Sequence, residues 1–162
     1  TASAMGPMPT IRNVGSPDAF GGEIELSVMP LAGLELFGSV GYTRMRYDDF
    51  SDAMGDYRNN KVPYVPEFTY NAGVQYRHTS GFFGRAEVVG ASKAYLNSAN
   101  TGYIPAHALA NLKIGWEFES FDIYAFGNNI FDKRYDYVDA FGGTYGVATQ
   151  GAVFGGMITY RF

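Results

Sequence analysis

Cysteine is absent from the 162 residues, which excludes a disulfide framework, a thiol nucleophile and a thiolate metal site. Histidine is nearly absent. His78 and His107 are the two present, neither has a ligand partner at fixed spacing, and no metal or cofactor is expected of them. Charge is sparse: Asp, Glu, Lys and Arg make up 17% of the chain, below the roughly 25% of an ordinary soluble domain. Twelve basic residues against sixteen acidic ones give a net charge of −4, so no basic surface invites nucleic acid. No Ser/His/Asp set can be assembled, because the two histidines fall at opposite ends of the strand pattern described below. An enzyme is not expected. Residues 1–5 also lack the charged and apolar run of an export leader, so any such signal is expected upstream.

Membrane-spanning helices are disfavoured next. The mean hydropathy of −0.13 is low for a helical bundle in lipid. One stretch, 140–160, runs 21 residues without a charge, long enough to cross a bilayer as a helix. It also holds six glycines, each costing a helix interior about 1 kcal/mol relative to Ala. The helix reading loses.

What the chain has in quantity is aromatic residues and glycine: 13 Tyr, 13 Phe and 21 Gly. Its dominant rhythm is two, the mark of strands with unlike faces. Seven segments show it, near 23–28, 34–43, 67–77, 82–93, 110–119, 121–128 and 152–162. In the cleanest, Ala110, Leu112, Ile114, Trp116 and Phe118 alternate with Asn111, Lys113, Gly115, Glu117 and Glu119. Thirteen charged residues fall within the seven segments, and all thirteen sit on the less apolar side. Arg44 and Arg46 break the rule by continuing the apolar parity of Tyr42. They are expected either above a membrane or after a bulge that resets the frame.

A soluble sandwich would bury the apolar face between sheets; a membrane barrel would turn it to lipid and line its lumen with the polar one. Three features favour the barrel. The polar side is mixed and often small (Ser39, Gly41, Thr43, Asn71, Gly73) rather than rich in Lys and Glu. Aromatic residues gather at the ends of the apolar stripes: Tyr42, Phe68, Tyr76, Phe82, Trp116, Phe118, Phe121, Tyr160 and Phe162, as in interfacial girdles. Short connections near residues 30–33, 79–81 and 120 alternate with long ones near 48–66, 95–106 and 129–150. The expected fold is therefore all-β, an antiparallel transmembrane β-barrel segment of about seven or eight strands. Short turns lie in the periplasm, long loops outside, and Phe162 on the periplasmic side.

Four places resemble the C-terminal β-barrel region of TonB-dependent outer-membrane receptors. Asn13, Val14 and Gly15, followed by Gly22, Glu23, Ile24, Glu25 and Leu26, resemble the family's N-x-G…G-x-E-x-E lead into a late strand. Val62 to Pro66 resemble its Pro-x-x-Pro step. The run Asn128, Asn129, Ile130, Phe131, Asp132, Lys133, Arg134, Tyr135 is similar to its specific N-N-L-F-D-K-x-Y motif. Ile158, Tyr160 and Phe162 resemble the terminal aromatic signal that the barrel assembly machinery recognises. The family's Pro-Arg before the last strand is replaced by Gly146 to Gly151.

The resemblance implies a Gram-negative outer-membrane receptor that imports a scarce small-molecule solute, a ferric siderophore first of all. A plug domain, TonB, outer-membrane lipid and lipopolysaccharide would be its partners. No plug is expected within residues 1–162. Residues 1–20 are expected to hold a partial strand and a loop, and 21–162 the last seven strands of a larger barrel. A self-contained eight-stranded barrel, with 1–13 as the extra strand despite Pro7 and Pro9, is the alternative.

Candidate site residues follow from that layout. The loop rings Tyr57, Tyr64, Tyr95, Tyr103, Tyr137, Phe141 and Tyr145 make an aromatic, weakly acidic mouth able to stack on a solute. Arg77, Arg85, Glu87, Lys93, Lys113 and Glu117 are lumenal charges that guide a solute, meet a plug or pair with one another. Tyr42, Tyr76, Trp116, Phe118, Phe121 and Tyr160 are girdle residues. Asp48, Asp49, Asp52 and Asp56 do not match the spacing of a calcium loop and are expected to be solvated loop charges.

Overall fold

The computed structural model describes residues 16–135 and 150–162, together with the strand backbones of Tyr137–Val138 and Thr144–Tyr145. Seven long strands carry the architecture: β1 (Pro17–Leu31), β2 (Leu34–Tyr47), β3 (Phe68–Arg77), β4 (Phe82–Ala91), β5 (His107–Glu117), β6 (Phe121–Asn128) and β7 (Val153–Tyr160). They lie side by side in chain order, each antiparallel to the next. The described residues contain no helix. Among the described residues the sheet is open, with β1 and β7 as its two edges.

Two boundaries differ from the sequence pattern. β1 begins at Pro17, inside the stretch 1–20 expected to hold a partial strand and a loop, while the possible eighth strand at 1–13 lies outside the described residues. β2 runs on to Tyr47, and its ladder with β1 is unbroken from Pro17↔Tyr47 to Val28↔Leu36. No bulge therefore precedes Arg44 and Arg46. The bulge alternative is corrected, and both arginines keep the parity of Tyr42; the register shift sits at the other end, between Val28 and Leu31.

The three short turns are stapled sideways. Gly33 (φ 77°) and Gly81 (φ 90°) take left-handed backbone that a Cβ would strain. The Gly33 carbonyl accepts the Arg77 N–H and the Gly81 carbonyl the Glu117 N–H, both at 2.8 Å. In the third turn the Ser120 carbonyl accepts the Arg161 N–H at 2.8 Å. Each turn thus bonds to the near end of the next strand along the sheet, which locks register where the ladders stop.

A conventional core is missing. Among the described residues the buried hydrophobic side chains are Tyr47, Phe83, Ala94 and Tyr124. The apolar stripes face outward instead: Ile24 and Ile158 are each 73% exposed, and Leu112, Ile114 and Trp116 are exposed at mid-sheet. An aqueous sheet with this pattern would present a continuous greasy surface far beyond what soluble proteins leave uncovered.

Candidate functional site

On the polar face the charges bind one another. Glu117 receives the Arg77 Nε at 3.1 Å and the Tyr124 hydroxyl at 2.8 Å. Lys113 Nζ rests 3.7 Å from the centre of the Tyr124 ring. Phe83, only 3% exposed, packs edge-on against that ring at 5.4 Å and carries the Arg77 guanidinium on its own face.

A second cluster sits one strand over. Arg85 bonds Glu87 at 2.6 Å and covers the Phe37 ring, while Glu35 accepts from Ser27 and Gln75. Arg77, Arg85, Glu87 and Glu117 are thus paired, the outcome expected of charges sharing a wet wall. Such half-exposed pairs contribute about 0–1 kcal/mol each. Lys113 has no carboxylate partner among the described residues and leans on rings instead. Arg85, Asn111, Lys113, Phe126, Asn128 and Met157 border a cleft of about 240 Å³.

Sequence reasoning missed several members of this wall. Asp122 is 5% exposed and takes both Arg161 nitrogens, at 2.7 and 2.8 Å. Its partner lies 39 residues away, so spacing could not reveal it. Tyr124 and Phe83 occupy polar-face positions, where alternation alone says nothing about rings.

The N-N-x-F-D-K motif proves to be a splice at the rim. Asn129 (φ 50°) and Asp132 (φ 48°) both adopt left-handed backbone, which Asn and Asp tolerate best after Gly. Asn129 is buried; its Oδ1 accepts the Lys133 N–H at 2.9 Å, and its Nδ2 donates to the carbonyls of Lys133 and Gln150. Asp132 Oδ1 accepts the Ala152 N–H at 2.9 Å. That bond, with Arg134 beside it, holds the Asp132 carboxyl below its ordinary pKa. Backbone bonds from Ile130 to Ala110, and from Asn129 to the Asn111 side chain, fasten the same turn to β5.

The loops at this end are stitched together. Asn60 and Asn100 reach across between loops 48–66 and 95–106, and the Tyr64 N–H donates to the Tyr95 carbonyl at 2.7 Å. A small second sheet lines up Thr144–Tyr145, Tyr137–Val138, Tyr103–Ile104 and Ala94–Tyr95. It gathers the backbones of Tyr95, Tyr103, Tyr137 and Tyr145. Phe141 and the side chains of Tyr137 and Tyr145 lie outside the described residues.

Lys93 Nζ sits 4.6 Å from the Tyr95 ring and 5.3 Å from Tyr103, and Lys61 approaches Tyr95 from 5.8 Å. The hydrogen bond to Tyr95 raises the Lys93 pKa above its ordinary value. Tyr64 is exposed, with left-handed backbone. Tyr57 is engaged elsewhere: it packs on Phe50 and donates to Asp52, and burial with that bond pushes its hydroxyl pKa up. Asp52 also accepts from the Met54 and Gly55 N–H groups, so it shapes a tight hairpin. Lys93 and Lys61 bring positive charge to Tyr95, with Glu67 2.8 Å from Lys61, while Asp52 and Asp56 sit on the hairpin of the other loop. The histidines stand apart, His78 bonded to Ser80 in a short turn and His107 stacked on Tyr135 at 4.1 Å.

Rings on the apolar face form two ranks. At the short-turn end Phe82 meets Trp116, Phe118 stacks on Phe121, Tyr160 meets Phe162, and Tyr76 stands beside His78. At the loop end Tyr42 pairs with Phe68 at 5.0 Å, with exposed Phe20 beyond it on β1.

The family pattern described as "TonB dependent receptor-like, beta-barrel" matches residues 1–130. Among solved structures, the siderophore receptor PiuA from Acinetobacter baumannii superposes with a TM-score of 0.69 at 20% identity, covering 90% of this chain and 22% of its own. The ferric yersiniabactin uptake receptor FyuA from Yersinia pestis gives 0.65 at 24% identity, again covering 90% of this chain and 22% of its own. A copper transporter, OprC, gives 0.68 at 14% identity, covering 90% and 24%. The chain therefore spans less than a quarter of the length of these relatives, and at such identities the likeness shows fold alone.

Proposed function

The chain belongs to the TonB-dependent receptor-like β-barrel family, and on that premise we propose that it forms the last seven strands of an outer-membrane receptor. The whole protein would take up a scarce solute using TonB-coupled energy, with a plug domain in the lumen. One observation carries the membrane reading: the apolar stripes are exposed while the opposite face satisfies its own charges, the inverse of a water-soluble sheet. Among the described residues the outer edges of β1 and β7 are unpaired, and edges of that length call for further strands, as a larger barrel would supply.

Ferric siderophores are the proposed solute class. Two of the structurally similar receptors are named for siderophore or ferric-yersiniabactin uptake. The copper transporter has the same fold, so the choice must come from the loops. Contact is proposed at Tyr64, Tyr95, Tyr103 and Lys93, with Tyr137, Phe141 and Tyr145 as further loop positions. Ile158, Tyr160 and Phe162, all on the apolar face, are proposed as the assembly signal.

The test is uptake of radiolabelled ferric siderophores by cells whose only receptor is the full-length protein, with and without TonB. TonB-dependent accumulation of one chelate is expected. Accumulation of none, or a receptor that stays monodisperse without detergent, overturns the proposal.

A further inference from the structure

The Asn100 side chain behaves like a one-residue strand. Its Oδ1 accepts the Lys61 N–H at 2.8 Å, and its Nδ2 donates to the Lys61 carbonyl at 2.9 Å. Both backbone groups of a residue 39 positions earlier are thus taken by one carboxamide, which offers an acceptor and donors together. Nδ2 also donates to the Asn97 carbonyl at 3.1 Å, and the Asn100 N–H donates to the same oxygen. At φ 56° Asn100 takes left-handed backbone, which Asn tolerates.

The other side of this segment is held by β2. The Tyr47 N–H donates to the Asn60 carbonyl, the Asn59 N–H to the Tyr47 carbonyl and the Val62 N–H to the Met45 carbonyl. Residues 59–62 are therefore clasped between the end of a wall strand and a side chain from loop 95–106. Lys61 Nζ is thereby set 2.8 Å from Glu67 and 5.8 Å from the Tyr95 ring. Three residues on, the Tyr64 N–H meets the Tyr95 carbonyl at 2.7 Å, and Lys93 Nζ lies 4.6 Å from the same ring. Asn60 and the Tyr47 hydroxyl also cross to Ser98, so losing the Asn100 amide would loosen Lys61 without parting the two loops.

We propose that Asn100 is a positioning residue for solute binding. It touches no solute; it holds Lys61 and, through Tyr64, the Tyr95 ring in place before a solute arrives. The inference rests on the solute reading above and adds to it the group that presents the contacting residues. A mouth ordered in advance carries its ordering cost in folding rather than in binding, which favours affinity.

The experiment titrates the full-length receptor in detergent with iron-55 complexes of citrate, of a tris-catecholate and of a tris-hydroxamate. Asn100→Gly permits the left-handed backbone and removes only the amide. For any complex that the wild type binds, this variant should lower affinity roughly tenfold. It should also add a slow, concentration-independent phase to association, because the mouth then orders after encounter. In a Tyr95→Leu background the same change should cost less than about twofold, whereas a purely structural loss would cost the same in both backgrounds. One arm needs no variant and stands even if Asn100→Gly misfolds. In the wild type, amides 60–62 should be protected from hydrogen exchange before any complex is added and gain nothing afterwards. Protection that appears only with the complex, unchanged affinity in Asn100→Gly, or the full loss in the Tyr95→Leu background overturns the inference and leaves the uptake reading standing. A wild type that binds none of the three complexes overturns the siderophore reading, and this inference with it.

Discussion

Along β5 the apolar side chains of Ala108, Leu112, Ile114 and Trp116 are exposed on one face, with Ala110 half-buried among them, and ladders to β4 and β6 hold the strand in place. In the loops above it ladders shrink to pairs of residues, and Asn60, Asn100, Asn129, Asp52 and Asp132 do the tying. The wall is thus ordered by backbone pairing and by whatever solvent covers its apolar face. The rim is ordered by individual amide and carboxylate groups. Damage should follow the same division: a wall defect depends on the face it lands on, and a rim defect stays local.

The largest effect tests the wall. Leu112→Arg places a charge at mid-sheet on the apolar face, where a membrane barrel loses about 2–4 kcal/mol. Lys113→Leu, one residue on, removes only a ring-stacked cation, worth about 1 kcal/mol or less at a wet site. Urea titration of the full-length protein folded into lipid vesicles reads both. A Leu112→Arg variant as stable as Lys113→Leu would mean the two faces share one solvent, and the comparison would collapse.

The rim gives a smaller and more confined effect. Asn129→Ala removes three hydrogen bonds from a buried side chain and a residue type suited to φ 50°. The cost should be about 2 kcal/mol, expressed as hydrogen exchange at residues 129–133 and 150–152. Amides of Leu112 and Ile114 should keep their protection. Loss of protection in both regions together would show that the rim is continuous with the wall.

The same division explains what could be read from the chain. The seven strands, their order and their faces follow from a period of two, because side-chain direction in a strand is a local property. β2 was harder to bound: Arg44 and Arg46 look like the end of a stripe, yet the ladder continues to Tyr47 because β1 supplies partners back to Pro17. The Asn128–Tyr135 run stood out as a family motif, but its work as a splice depends on Gln150 and Ala152, about twenty residues on. The pairing of Asp122 with Arg161 is equally long-range. The loop tyrosines could be picked out by type alone; which of them meet Lys93 is decided by a small sheet that no alternation announces.

The smallest effect is a titration at the rim. Asp132 is held below its ordinary pKa, first by the Ala152 N–H and then by Arg134. A depressed carboxyl contributes stability that is complete above the unfolded value, near 3.9, and is lost as pH falls through the lower folded value. The Ala152 amide proton should therefore keep its hydrogen-bonded chemical shift down to about pH 4 and move only below it, with Asp132→Asn abolishing the transition. Wall amides such as Ile114 should not follow this curve. A midpoint at or above the free carboxyl value would mean that the bond to Ala152 does not hold the charged form, and this turn would then be fastened by Asn129 and the bonds to β5 without help from the Asp132 charge.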